Sequence, residues 1–155
     1  MSIDIPTAIS PRELRLLQHF ARDRAVVEFG ALLGFSTVGL AQVTGRLSSI
    51  DRHDFYSGPT ARQFRSNLER YGVSEKVKVI EGDALLHGQT AGDVAFIDLT
   101  GNYQITKDLL GILGCRLALV HDFDRPNCDV GRAIVDAGWR PIDQVDTLLL
   151  CERSH

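Results

Sequence analysis

Apolar residues recur in two rhythms along the chain. Short β-branched or continuously apolar runs, Ala25-Val26-Val27-Glu28-Phe29, Val77-Lys78-Val79-Ile80, Val94-Ala95-Phe96-Ile97 and Leu117-Ala118-Leu119-Val120, predict strands. Between them, apolar positions fall three and four apart. Ser10-Pro11-Arg12-Glu13 reads as a capping box with Pro at the first helical position, and Leu14, Leu17, Phe20 and Ala21 follow on one face of a helix. A second helix is predicted from Gly34 to Val43, and a third opens at Pro59, carries Phe64, Leu68 and Tyr71 inward and ends at Gly72, a left-handed C-cap position. A fourth spans Tyr103 to Leu113. A fifth, Asn127 to Ala137, places Val130, Ala133, Ile134 and Ala137 on one side before Gly138. Arg46 to Asp51 is a further candidate strand, weakened by Ser48 and Ser49. In the tail, Arg140 to Val145 and Thr147 to Cys151 are separated by Asp146 alone, which fits either a tight antiparallel hairpin or one bent strand.

The runs at 94–97 and 117–120 are apolar throughout, as strands covered on both faces must be, so the alternation of strands and helices predicts a parallel sheet with helical crossovers. The expected architecture is α/β, Rossmann-like and doubly wound: a mostly parallel sheet of about seven strands, helices on both faces and an antiparallel edge strand near the C-terminus.

Composition narrows the class. With 155 residues, 44% hydrophobic and 24% charged, residues 1–155 are expected to form one domain, residues 1–23 being an N-terminal helical segment packed on it. A formal charge of −3 offers no positive field to hold phosphates, so no nucleic acid partner is expected. No apolar run approaches membrane-spanning length, and Met1 to Pro6 lacks the basic and apolar regions of a signal peptide, so neither membrane insertion nor export is expected. Cys115, Cys128 and Cys151 have neither zinc-site spacing nor disulfide density and read as structural thiols of a cytoplasmic protein.

In such a sheet, ligands bind outside the carboxyl ends of the strands, near the point where strand order reverses. The strand ends here read Glu28 to Gly34, Asp51, Gly82-Asp83-Ala84, Asp98 and His121-Asp122, and each of the five carries Asp or Glu. The first turn, Glu28-Phe29-Gly30-Ala31-Leu32-Leu33-Gly34-Phe35-Ser36-Thr37, has glycines four apart. Leu32 and Phe35 stand where a dinucleotide fingerprint needs its later glycines, which disfavours a pyrophosphate cradle and suits a nucleoside with an amino-acid tail.

These residues resemble the class I S-adenosylmethionine-dependent methyltransferases, in particular the small-molecule O-methyltransferases of the macrocin or catechol type. The resemblance covers nearly the whole chain. It implies that Gly30, Ala31 and Gly34 line the methionine portion of S-adenosylmethionine while Glu28 supports the turn. It further implies that Asp51 accepts from the ribose hydroxyls, that Asp83 and Ala84 meet the adenine, and that Ser36 and Thr37 lie near the carboxylate end. Asp98 and Asp122 match the positions that hold a divalent cation such as Mg²⁺ in metal-dependent relatives, where the ion lowers the pKa of the acceptor hydroxyl.

The pattern departs from that family on the acceptor side. Asp98 is followed by Leu99-Thr100-Gly101-Asn102-Tyr103 rather than by a second acidic residue and a His or Lys, and Phe123 stands where catechol-type enzymes place a ligating Asn, with Asp124 next. His121 is then either the group that takes the acceptor's proton, making Asp98, His121 and Asp122 the catalytic set, or a strand-end histidine bonded to backbone. His19, His53, His87 and His155 read as surface or turn residues, with His53 nearest the ribose, and Tyr103 and Trp139 read as packing residues. Little beyond Met1 to Asp23 and the loop from Arg52 to Pro59 is available to enclose a small-molecule acceptor, so a homodimer partner completing the pocket is one expectation. A non-catalytic cofactor- or partner-binding module is the alternative.

Overall fold

Helix α1 (Pro11–Ala21) begins at Ser10 as its capping box predicts. The Glu13 N–H donates to Ser10 Oγ (3.2 Å) and the Ser10 N–H donates to Glu13 Oε2 (2.7 Å), so two backbone donors are satisfied reciprocally. The computed structural model describes residues 2–54, 60–99, 101–124, 126 and 128–154. Pro59 and Asn127, expected to open helices, lie outside them, as do His155, Thr100, Met1, residues 55–58 and Arg125.

The elements that follow are β1 (Ala25–Phe29), α2 (Phe35–Ala41), β2 (Arg46–Asp51), α3 (Thr60–Arg70), β3 (Val77–Glu81), β4 (Val94–Ile97), α4 (Tyr103–Ile112), β5 (Leu117–Val120), α5 (Val130–Asp136), β6 (Trp139–Val145) and β7 (Leu148–Arg153). Helix α2 is shorter than its apolar spacing suggests. Gly34 at its start takes φ +92°, and at its end the Val43 and Thr44 amides both turn back to the Leu40 carbonyl. β2 forms despite its serines because the strand pairs on both edges and Ser49 Oγ donates to Glu28 inside the protein.

The strands make one sheet in the order β3-β2-β1-β4-β5-β7-β6. β1 to β5 are mutually parallel, β7 runs antiparallel to β5, and β6 runs antiparallel to β7. The tail is therefore a hairpin and not a bent strand, with its turn at Asp146 (φ +51°). Pro141 and the bulge beside it interrupt the ladder of the outer strand β6, which blunts that edge against further pairing.

Alternation along the strands sorts the core into two layers. Val26, Phe96 and Leu119 pack with Leu17, Ala21, Val38, Phe64 and Leu68 from α1 to α3, whereas Val27, Phe29, Ala95, Ile97 and Val120 pack with Leu109, Leu110 and Ile134 from α4 and α5. Each large side chain so buried contributes roughly 1.5–3 kcal/mol. This two-sided burial is why the central strands carry no polar alternation. The one exception is Glu28, which shares a face with Val26 and points at α2.

The ladder continues just past the strand ends. Gly82 N–H donates to Asp51 O, Gly30 N–H to Ile50 O, Asp98 N–H to Phe29 O and His121 N–H to Ile97 O, at 2.9–3.0 Å. The parallel register thus brings Gly82, Asp51, Gly30, Asp98 and His121 into one row along the carboxyl edge of the sheet. β1 and β4 are neighbours on which the chain reverses direction across the sheet, so a crevice opens above them.

Ser10→Ala removes the cap while leaving the core intact. It is expected to cost about 1 kcal/mol and to lower the melting temperature by roughly 2–4 °C in a thermal unfolding experiment.

Candidate active site

Gly30 ends β1 with φ +91°, and a Cβ placed on it would lie 2.0 Å from the Asp98 carbonyl oxygen. No other residue could let β1 and β4 approach so closely at that conformation. Above this contact lies a cavity of about 580 Å³, within the range of small-molecule sites. Gly30, Ala31, Ser36, Asp51, Asp83, Ala84, Asp98, His121 and Asp122 border it. Glu28, Gly34 and Thr37 do not.

The last three act from behind the lining. Glu28 is fully buried, and its carboxylate accepts from Ser36 Oγ (2.6 Å), Thr37 Oγ1 (2.6 Å) and Ser49 Oγ (2.7 Å). It ties the first turn of α2 to β1 and β2, so the hydroxyls of Ser36 and Thr37 are turned to Glu28 in the core. Burial pushes the Glu28 carboxyl up to about 7 even though its three hydroxyl donors pull the other way. At Gly34 a Cβ would meet the Phe64 ring at 3.0 Å, so this glycine serves the packing of α3 and the left-handed turn before α2.

Asp51 braces the turn directly. Its Oδ2 accepts from the Ala31 and Leu32 amides (2.7 Å each) and its Oδ1 from the His53 amide (2.6 Å). These bonds hold Leu32 (φ +48°) and His53 (φ +54°) in the left-handed region, a strained choice for residues other than glycine. A carboxylate offers about four acceptor positions, and three are engaged among the described residues, which leaves one, on Oδ1, for a ligand hydroxyl. Asp83 caps the short turn Ala84–Leu86 by accepting from the Leu85 amide (2.8 Å), and lies 3.6 Å from the Arg52 guanidinium.

At the other end of the cavity Asp98, His121 and Asp122 converge. Each offers one ligating atom, and these atoms lie within 4.8 Å of one another. His121 is 4% exposed; its Nδ1 is 3.1 Å from Asp98 Oδ1 and 3.6 Å from Asp122 Oδ1. Asp122 takes φ +58°, which turns its carboxylate back beside the imidazole. Burial disfavours the charged ring, but the Asp98 hydrogen bond and the carboxylates of Asp98, Asp122 and Glu13 outweigh it and raise the His121 pKa above its ordinary value. A strand-end histidine bonded only to backbone is thus not what the structure contains.

The N-terminal stretch and the loop from Arg52, the segments available to enclose a pocket, do border the cavity, whereas its apolar side and Glu13 escape a reading of the sequence. Pro6, Thr7, Ala8 and Ile9 border the cavity, so the N-terminal stretch is part of its wall, together with Arg52 and Asp54. Leu99, Ile105 and Cys128 give the cavity an apolar side. Glu13 is 1% exposed and its Oε2 lies 3.6 Å from His121 Nε2; the capping box announced a helix start, and nothing in it signals burial. Tyr103 donates to Asp136 (2.6 Å) and Trp139 Nε1 to Leu110 O (3.1 Å), and neither borders the cavity. His53 packs its ring on Phe64, at 4.9 Å between centroids. The three cysteines are free thiols.

Solved methyltransferases superpose on this fold over nearly the whole chain. The O-methyltransferase TomG of Streptomyces achromogenes, solved with S-adenosylmethionine, superposes at a TM-score of 0.70 with 21% identity, covering 96% of this chain and 82% of that one. The O-methyltransferase of Bacillus cereus, solved with S-adenosylhomocysteine, gives 0.69 with 19% identity, covering 99% and 84%. The fold is that of the class I methyltransferases. No family model matches the chain. A curated relative, a catechol O-methyltransferase of Mycobacterium tuberculosis, is 38% identical over 89 residues, which are 55% of this chain. The matched stretch spans 40% of that relative's length. The resemblance read from the strand-end motifs holds in fold. Among the described residues no helix is long and apolar enough to cross a membrane.

The raised Glu28 pKa makes a signed prediction. A buried acid that binds its proton more tightly in the folded state supports stability below its unfolded pKa of 4.5 and loses that support as pH rises toward about 7. In urea unfolding followed between those values, wild-type stability relative to Glu28→Gln is expected to fall with rising pH by on the order of 3 kcal/mol.

Proposed function

We propose that this protein is an S-adenosylmethionine-dependent methyltransferase that methylates a hydroxyl of a small molecule. The observation that carries the reading is the convergence on one cavity of the braced turn at Gly30 to Leu32, the carboxylates of Asp51 and Asp83, and the Asp98–His121–Asp122 cluster. The missing Cβ at Gly30 and the remaining acceptor position on Asp51 fit a nucleoside ligand laid across the ends of β1 and β2, with its adenine toward Asp83 and Ala84.

S-adenosylmethionine, bound there, supplies the electrophilic methyl group: a lone pair of the acceptor oxygen forms the new C–O bond while the C–S pair leaves with sulfur. The chain's own task is to hold the acceptor in line and to take its proton. Asp98 and Asp122 are the exposed members of the acceptor cluster, with side chains 27% and 19% accessible against 2% for His121. They accept from the acceptor hydroxyl, and the released proton is held between Asp98 Oδ1 and His121 Nδ1. Leu99, Ile105 and Cys128 cover the apolar body of the acceptor and exclude water from that side.

The same two carboxylates would hold a divalent cation such as Mg²⁺, a hard ion suited to oxygen donors and retained waters. It would lower the pKa of the acceptor hydroxyl. A homodimer partner closing the open rim, a single domain spanning residues 1–155 and a cytoplasmic setting without nucleic-acid or membrane partners belong to the same proposal.

Calorimetry with S-adenosylmethionine tests the cofactor half. Wild-type protein is expected to bind, and Asp51→Ala, which frees the Ala31 and Leu32 amides as well as the ribose, to bind at least about tenfold more weakly. No binding at millimolar cofactor overturns the proposal. Transfer of a labelled methyl group to a panel of catechols and phenols tests the acceptor half: Asp98→Ala is expected to retain cofactor affinity and to lose roughly 100-fold or more in turnover. Chelation with EDTA and restoration by Mg²⁺ reads the ion directly. Phe123 in place of a ligating Asn favours a second reading, a non-catalytic cofactor- or partner-binding module. Cofactor binding without transfer, unmoved by Asp98→Ala and Asp122→Ala, supports that one.

A further inference from the structure

We propose that His121 is the third ligand of the cation held by Asp98 and Asp122, and that this set of two oxygens and one ring nitrogen selects a nitrogen-accepting transition ion, such as Co²⁺ or Zn²⁺, over Mg²⁺. The inference deepens the cation part of the reading above and rests on that reading for its catalytic meaning. The ligand set itself rests on geometry.

His121 Nδ1 lies 3.1 Å from Asp98 Oδ1 and 3.6 Å from Asp122 Oδ1, and one ligating atom of each residue falls within 4.8 Å of the other two. Ligands about 2.1 Å from a shared ion stand about 3.0 Å apart at right angles and about 3.4 Å apart at tetrahedral angles. The two nitrogen–oxygen separations are therefore those of neighbours in one coordination sphere. The backbone presets the arrangement: the His121 amide continues the sheet ladder to Ile97 O (2.9 Å), and the left-handed Asp122 (φ +58°) turns the next carboxylate back beside the ring. With its side chain only 2% accessible, the ring is held by the packing around it. On its far side Nε2 is buried, has no hydrogen-bond partner among the described residues and faces Glu13 Oε2 at 3.6 Å. A metal-bound imidazole carries its remaining N–H toward such a carboxylate, so an ion on Nδ1 accounts for the orphaned nitrogen.

The neighbouring residues do not supply a third oxygen. Where the catechol-type pattern has Asn, Phe123 packs against the α4–α5 layer, and Asp124 is exposed and outside the cluster. Mg²⁺ takes oxygen donors and keeps its waters, whereas imidazole nitrogen suits later transition ions. All three residues border the cavity, and three protein ligands leave coordination positions open, as catalytic sites do and structural sites do not. A ring that ligates an ion through Nδ1 does not also hold the acceptor's proton there, so His121 serves differently in the ion-loaded protein and in the ion-free one.

Titration of chelator-stripped protein with Zn²⁺, Co²⁺ and Mg²⁺ in a calorimeter, at one mildly alkaline pH, tests the ion class. Zn²⁺ and Co²⁺ are expected to bind at least about 100-fold more tightly than Mg²⁺. His121→Gln, which offers an oxygen in place of the nitrogen, should lose at least about tenfold in affinity for Zn²⁺ and Co²⁺ and move Mg²⁺ by less than about threefold. Pulsed electron paramagnetic resonance of the Mn²⁺-loaded wild type reads the ligand itself. A directly bound nitrogen is expected, with its coupling changing from the nitrogen-14 to the nitrogen-15 pattern in histidine-labelled protein and vanishing in His121→Gln. Should that variant fail to fold, the wild-type isotope pattern decides, provided that it disappears together with ion binding in Asp98→Ala. Mg²⁺ bound as tightly as Zn²⁺, Mn²⁺ bound without nitrogen coupling, coupling that survives in folded His121→Gln, or no ion binding at all would each overturn the proposal. Calorimetry with S-adenosylmethionine keeps the two readings apart. An ion bound through nitrogen in protein that binds no cofactor upholds the site and removes the methyltransferase reading, and cofactor binding without any ion does the reverse.

Discussion

Everything at the carboxyl edge of the sheet depends on how closely β1 and β4 come together. At Gly30 the β1 backbone turns away with φ +91°, and the space a Cβ would take belongs to the Asp98 carbonyl. That contact places the turn after β1 against the residue that follows β4, and so joins the Asp51 end of the cavity to the end lined by Asp98, His121 and Asp122. A side chain at position 30 would drive the two strands apart at the point where the chain reverses direction across the sheet, and the row from Gly82 to His121 would lose its register.

Around that contact the protein places carboxylates at graded depth. Glu28 is wholly interior and carries three hydroxyl donors, Asp51 is half-buried and braces two amides of the turn, and Asp98 and Asp122 face the cavity. Depth decides what each can do. A carboxylate sealed from water and fully bonded is a fastening, and burial drives its pKa up; one that keeps an open acceptor position can receive a ligand or a proton. Glu13 is as deeply buried, yet the Ser10 amide and the Thr147 amide and hydroxyl that donate to it outweigh burial and hold its pKa below the usual value.

Neighbouring strained residues serve the same arrangement. Leu32, His53 and Asp122 all adopt positive φ, and all sit at strand ends beside the cavity. Asp51 accepts the amides of Leu32 and His53, so the carboxylate expected to meet a ribose is also what holds the turn in shape.

The strands, the helices and the acidic strand ends were legible in the amino-acid order, because burial on two faces demands continuous apolar runs and helices demand three-four spacing. Both are local consequences of packing. Ser49 weakened the reading of β2, since a buried hydroxyl is unfavourable in a strand until a distant acceptor, Glu28, is supplied. Which strand-end residues face the cleft and which stand behind it was decided only in three dimensions. Ser36 and Thr37 turn inward to Glu28, and Gly34 packs on Phe64. Glu13 meets His121 across 108 residues of chain because α1, the β6–β7 turn and the end of β5 share one corner of the fold. Local pattern encodes an element and its buried face; the partner a polar side chain finds depends on pairing order and register, which exist only once the sheet is assembled.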